Sequence, residues 1–191
     1  SFLDTNGVKQ KTVIEVEPGD PEAVSAGAKA PMDCLRELGN ASQKGLTERF
    51  DSTIGAGSVL MPLGGKYQLS PAAGMAAKLP VTSGYTDTAT LMTYGFNPAI
   101  SKKSPYHGAV HAVVDSATKI VAMGGDYRKA RLSFQEYFER LGEDPKRWGK
   151  PFGALLGGLT AQAELKIPAI GGKDSMSGTF MDIDVPPTLI S

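Results

Sequence analysis

IPAIGGKDSMSGTF, residues 167–180, is the stretch from which the chain is read. Ile167, Pro168, Ala169 and Ile170 have the length and character of a short buried strand. The strand is expected to stop at Gly171-Gly172, because paired glycines let the backbone turn at positive φ and let a ligand approach the main chain. Lys173, Asp174 and Ser175 then offer a cation, an acid and a hydroxyl on consecutive residues. A strand ending in such a turn suits phosphate, magnesium or carboxylate binding at the end of a sheet. The same residues also make an ordinary polar hairpin turn, and the GxxxxGK[ST] phosphate loop is absent.

Upstream of this stretch, Phe152, Leu155, Leu156, Leu159 and Ala163 repeat at helical spacing, so a helix is expected from Pro145 to Lys166 with that face inward. Residues 131–138 read as a strand, with Leu132, Phe134 and Glu136 on one side by alternation. Glu136 is then expected at the open end of the sheet. Residues 108–123 form the best-defined helix, with Val110, Val113, Val114, Ala117, Ile120 and Val121 as its apolar face and Gly124-Gly125 as its stop. Residues 86–94 are β-rich, and 96–106 read as loop. Residues 60–81 look like a packed irregular loop, 31–38 like a short helix opened by a proline, and 12–17 like a strand. Residues 49–62 carry two strand-like runs, and a last strand begins near Asp184. Helices stacked on one face of a sheet give an α+β layer architecture. Residues 1–30 are expected to be a linker or the tail of a preceding domain, and 31–191 one domain. Because the chain starts without Met and stops at Ser191, it is expected to be an excised fragment.

Lys and Arg balance Asp and Glu at 20 each, which removes the electrostatic pull toward nucleic acid. A single cysteine, Cys34, excludes an internal disulfide and any multi-cysteine metal site, and fits a reducing, cytoplasmic setting. No apolar run approaches the length of a membrane span. His107 and His111 lie four apart, but the acid of HExxH is missing, so no zinc pair is expected there. His111, Asp115 and Lys119 form a stripe beside the apolar helix face. It is either a solvated stripe with an Asp–Lys pair or, since magnesium prefers oxygen ligands, a place where Asp115 meets a magnesium–nucleotide site.

TDTATLMTYGFNP (86–98), SPYHGAVHAVVDSATKIVA (104–122), ARLSFQEYF (130–138), DPKRWGKPFGALLGG (144–158) and IPAIGGKDSMSGTF (167–180) together closely resemble the second synthetase half of the large, single-chain phosphoribosylformylglycinamidine synthases. These enzymes belong to the aminoimidazole ribonucleotide synthetase superfamily. The resemblance implies a ferredoxin-like α+β unit of the N-terminal type, whose sheet pairs with a sister domain. It implies a ligase of purine biosynthesis that converts formylglycinamide ribonucleotide to its amidine with ATP, Mg2+ and ammonia from glutamine. It implies that Gly171, Gly172, Lys173, Asp174 and Ser175 face substrate or nucleotide, and that Asp115 and Glu136 face metal. No catalytic residue falls in this chain: the family's catalytic histidine lies in the other half and its glutaminase cysteine in a separate domain. Two positions depart from the pattern. Lys119 stands where relatives often carry an Asn ligand, and Ser83 or a neighbour stands where they carry an Asp. A non-catalytic half holding a degenerate nucleotide site is the alternative. Alone, the chain is expected to be inactive and to form a homodimer through a sheet face carrying Leu91, Leu132 and Phe134.

Overall fold

The structure is a computed structural model that describes residues 13–19, 29–50 and 57–191. In chain order its elements are α1 (Pro31–Arg36), α2 (Lys44–Phe50), β1 (Ser58–Leu60), β2 (Leu63–Gly64), β3 (Ser70–Pro71), β4 (Gly74–Lys78), β5 (Ala89–Thr93), α3 (Pro98–Lys103), α4 (Pro105–Ala122), β6 (Leu132–Tyr137), α5 (Pro145–Leu165), β7 (Ala169–Lys173), β8 (Thr179–Phe180), β9 (Ile183–Asp184) and β10 (Thr188–Ile190). No helix among the described residues is long and apolar enough to cross a membrane.

Two three-stranded sheets carry the architecture, β1-β4-β5 and β10-β6-β7. The first is antiparallel throughout. In the second, β10 runs antiparallel to β6, while β6 and β7 are parallel and α5 crosses between them. The sheets meet where Gly95 and Ser191 exchange backbone hydrogen bonds of 2.9 and 3.2 Å. The α+β expectation therefore holds. The finer ferredoxin-like arrangement is not the pairing seen here, because β6 and β7 are direct parallel neighbours and no antiparallel strand lies between them.

α4 and α5 lie together over the second sheet. Ser104 caps α4 by accepting from the His107 N–H, and Asp144 caps α5 by accepting from the Lys146 N–H. Both helices bury their smallest residues. The inward face of α4 is Gly108, Ala109, Ala112, Val113, Ser116 and Ala117, and Val114 and Val121 of the expected face are exposed. On α5 the buried residues include Gly149, Gly153, Ala154, Gly157, Gly158 and Ala161. Phe152, Leu155, Leu156 and Leu159, expected inside, are 42, 51, 38 and 58% exposed. The cause is the closeness of the helices. A Cβ on Gly157 would stand 2.1 Å from the Tyr106 carbonyl oxygen, so only a glycine face fits there. Helical periodicity located a face correctly in spacing but chose the large side chains over the small ones.

Beneath the helices, Leu132, Phe134, Phe138, Leu141, Ile167 and Leu189 complete the core. Each fully buried side chain of this size stabilises the fold by about 1.5–3 kcal/mol relative to exposure. This burial takes Leu132 and Phe134 out of the sheet face expected to drive dimerisation, Phe134 lying against Gly158 of α5, while Leu91 stays 36% exposed. The opposite face of the first sheet is the open one, with Met75 and Met92 paired across β4 and β5, at 38 and 63% exposure.

Several local expectations change. Residues 13–17 form no strand, and the Glu15 N–H donates to the Pro145 carbonyl at 3.1 Å; Thr12 and residues 20–28 lie outside the described residues. So do residues 51–56 of the span 49–62, of which residues 49 and 50 end α2 and Ser58–Leu60 form β1. The span read as irregular loop holds β2, β3 and β4. The loop at 96–106 contains α3, for which Asn97 accepts from the Ala99 and Ile100 N–H groups with Pro98 at the first helical position.

Candidate functional site

Gly171 and Gly172 do not end their strand. β7 runs through them to Lys173, in register with Phe134 and Gln135 of β6. The register slips by one residue at the start of the pair, leaving Ile170 as the extra residue. Gly171 takes φ +150°, which a side chain would resist, and a Cβ on Gly172 would lie 2.4 Å from the Phe134 carbonyl oxygen. Gly172 is thus required by the backbone of β6 and Gly171 by its own backbone conformation, with open space on its Cβ side. Past the strand the chain stays tied to β6. The Ser175 N–H donates to the Glu136 carbonyl at 3.0 Å, and the Phe138 N–H donates to the Ser175 carbonyl at 2.8 Å.

This end of the sheet opens into a cleft of about 630 Å³. Gly171, Gly172, Lys173 and Asp174 form one side, and Glu136 and Phe134 reach it from β6. Trp148, Phe152 and Leu155 of α5, with Ile14 from the 13–19 segment, supply an apolar wall. The Trp148 ring is held by its Nε1–H, which donates to the Gly142 carbonyl at 2.9 Å. Burial pushes the Glu136 carboxyl above its ordinary range, and the negative charge of Asp174 raises it further. Two carboxylates that feel each other inside a cleft attract a cation or a hydrogen-bond donor. They are hard oxygen donors of the kind magnesium takes.

Five residues were expected to act together at the turn, and the structure divides them. Gly171 through Asp174 line the cleft, and Ser175 does not. Its hydroxyl lies 3.1 Å from that of Ser177. The Lys173 ammonium sits 4.9 Å from the centroid of the Tyr137 ring, and Tyr137 alternates with Glu136 on β6, so this charge points to the other face of the sheet.

Asp115 is not among the residues lining the cleft with Glu136. Its carboxylate accepts from Lys119 Nζ at 2.8 Å, and the same ammonium donates to the Tyr94 carbonyl at 2.7 Å. One neutralised carboxylate beside an ammonium does not fit a magnesium ion, so the residues there do not make the expected metal site. Among the described residues no group of three or more His, Cys, Asp or Glu could hold a metal. His107 Nδ1 lies 2.8 Å from Ser104 Oγ and serves the start of α4.

Sequence reasoning missed two features. Ile14 and Phe152 help wall the cleft; the exposure of Phe152 follows from the glycine face behind it, and Ile14 belongs to a segment read as a strand with nothing local to place it beside α5. The second is Glu139, fully buried just after β6, where one carboxylate oxygen meets Lys150 of α5 and the other has no partner.

No known family profile and no curated protein matches the sequence. Solved structures do match in fold. Thermotoga maritima PurL complexed with ATP aligns with a TM-score of 0.65 at 16% identity, over 95% of this chain and 26% of that one. PurLQS from the same organism aligns with a TM-score of 0.65 at 17% identity, over 95% and 26%. PurL complexed with AMPPCP gives 0.64 at 16%, over 95% and 27%. The chain therefore spans about a quarter of the length of these proteins, and over nearly all of its own length it has the fold of a PurL-like synthetase domain.

Proposed function

We propose that this chain is a synthetase domain of an ATP-dependent, amidine-forming ligase of purine biosynthesis. The parent reaction takes formylglycinamide ribonucleotide, glutamine and ATP to formylglycinamidine ribonucleotide. The domain supplies one wall of a ligand site, formed by the Gly171–Gly172 strand end, Asp174 and Glu136. The observation that carries this reading is that the glycine pair opens into a cleft large enough for a nucleotide, within a fold shared with PurL structures solved with ATP and AMPPCP. The bare glycine backbone lets a phosphate or ribose come close, while the Trp148–Phe152–Leu155 wall excludes water from one side. Magnesium, when bound with nucleotide, neutralises phosphate charge; Glu136 and Asp174 are the residues that would hold it. Ammonia from a glutaminase domain of the parent protein is the nitrogen source in this reading.

A second reading is favoured at one place only. The Asp115–Lys119 pair supports a degenerate nucleotide position on α4, so the active contacts are assigned to the cleft alone.

The test is ammonia-dependent ADP formation by the full-length enzyme. Asp174→Asn is expected to lower the rate by about 10- to 100-fold, the loss of a charged contact worth ~1.5–3 kcal/mol. Ser175→Ala, outside the cleft, is expected to change it far less. The 191-residue chain alone should release no ADP above background. An unchanged rate for Asp174→Asn, or turnover by the chain alone, refutes the assignment.

A further inference from the structure

The side chain of Lys119 ends among three groups that each attract a cation. Its ammonium donates to the Asp115 carboxylate at 2.8 Å and to the Tyr94 carbonyl at 2.7 Å, and stands 4.7 Å from the centroid of the Tyr94 ring. The carboxylate and the ammonium side chains are only 28 and 27% exposed. This is more than the usual surface pair one helical turn apart, because the third partner comes from another element.

The Tyr94 carbonyl is held in place independently of Lys119. The same peptide unit carries the Gly95 N–H, which donates to the Ser191 carbonyl at 2.9 Å. One residue earlier, Thr93 Oγ1 donates to the Ser116 carbonyl of α4 at 2.8 Å. A fixed carbonyl and a helix carboxylate therefore face each other across the junction of β5 and α4, and the lysine bridges them.

We infer that Lys119 is the resident cation of this position: its tethered ammonium stands where a divalent ion would bridge Asp115 and the Tyr94 carbonyl, and the position takes no magnesium. Magnesium demands near-ideal octahedral oxygen coordination. Here an ammonium, which offers donors only, already occupies the bridging point. A divalent ion brought there meets a like charge at contact distance. This inference does not depend on the ligase reading, since it is tested by metal binding and not by turnover.

The experiment measures Mn2+ binding to the full-length protein by electron paramagnetic resonance of the free ion, without nucleotide. The wild type and Asp115→Asn are expected to give the same isotherm. Lys119→Asn is expected to bind one further equivalent, and the Asp115→Asn/Lys119→Asn double variant to lose it. Freed of the neighbouring positive charge, that site should bind at least about tenfold more tightly than any Asp115-dependent binding in the wild type. Loss of an equivalent on Asp115→Asn in the wild-type background overturns the inference, and that comparison stands even if Lys119→Asn fails to fold. A folded Lys119→Asn variant, checked by circular dichroism, that gains no Asp115-dependent equivalent overturns it as well.

Discussion

Gly157 and Gly158 are neighbours on α5, both buried, and they should respond to alanine in opposite directions. A Cβ at Gly157 would lie 2.1 Å from the Tyr106 carbonyl oxygen and 2.9 Å from its carbonyl carbon. Those are backbone atoms of α4, so no rotamer change relieves the overlap, and the helices must separate by about 1 Å to restore contact distance. A radial gap of 0.5–1 Å forfeits roughly a quarter to a half of each dispersion contact across the face it opens. Overpacking of this kind costs ~1–3 kcal/mol, and the absence of a flexible neighbour puts this site at the upper end. Alanine returns about 1 kcal/mol of helix propensity, leaving Gly157→Ala destabilised by about 2 kcal/mol. At Gly158 the nearest atoms are Phe134 at 3.5 and 3.6 Å and Leu189 at 3.7 Å, ordinary contact. Gly158→Ala keeps the propensity gain and adds apolar contact, so it should stabilise by about 0.5–1 kcal/mol. For a chain of this length each kcal/mol moves Tm by about 2–4 °C. Thermal melts followed by circular dichroism should show Gly157→Ala lower by about 4–8 °C and Gly158→Ala higher by about 1–4 °C. If Gly157→Ala melts at or above the wild-type temperature, the helices are not held together by their backbones.

Two further outcomes follow from the cleft and from the open sheet face. Glu136 is an acid whose folded-state pKa is raised, so the folded chain binds its proton more tightly than the unfolded chain, whose pKa lies near 4.5. Its ionisation therefore lowers stability as pH rises from about that value through the folded pKa. Glu136→Gln should then melt above the wild type at pH 7, with the difference shrinking as pH falls below 4.5; a difference that grows toward acid would reverse the sign of the argument. Met75 and Met92 form an exposed apolar pair on the first sheet, and a second copy is expected to dock on this face. Sedimentation equilibrium at micromolar concentration should give a dimer of the 191-residue chain, and Met92→Asp a monomer; a wild-type monomer rules out pairing of this chain with itself.

Much of the fold is legible because its elements carry strong local signals. Asp144-Pro145 opens α5 and a left-handed Lys166 closes it, both within a residue or two of where proline and periodicity place them. Leu132, Phe134 and Glu136 alternate as a strand should, and β6 spans Leu132–Tyr137. The losses come where two signals compete. On α5 a leucine–phenylalanine stripe and a glycine–alanine stripe run at the same period, and hydrophobicity alone selects the wrong one. What decides is distance between backbones, a tertiary quantity that Gly149, Gly153 and Gly157 signal only if small residues are counted as a face in their own right.

The strand at Gly171-Gly172 was legible, and its end was placed two residues early. Gly171-Gly172 reads as a stop because glycine usually interrupts strands. Here the pair lets β7 lie against the Phe134 backbone, so the turn expected at residue 171 begins only after Lys173. That delay of two residues rearranges the polar groups by strand alternation: Lys173 is sent to the Tyr137 face, while Asp174 remains within reach of the Glu136 charge. A cation and an acid that the sequence sets side by side thus serve opposite faces of one sheet. The Glu136 carboxyl therefore feels the Asp174 charge in the cleft, while the Lys173 ammonium stands over the Tyr137 ring. On α4 the reverse holds: the Asp115 carboxylate has an ammonium beside it, that of Lys119 at 2.8 Å.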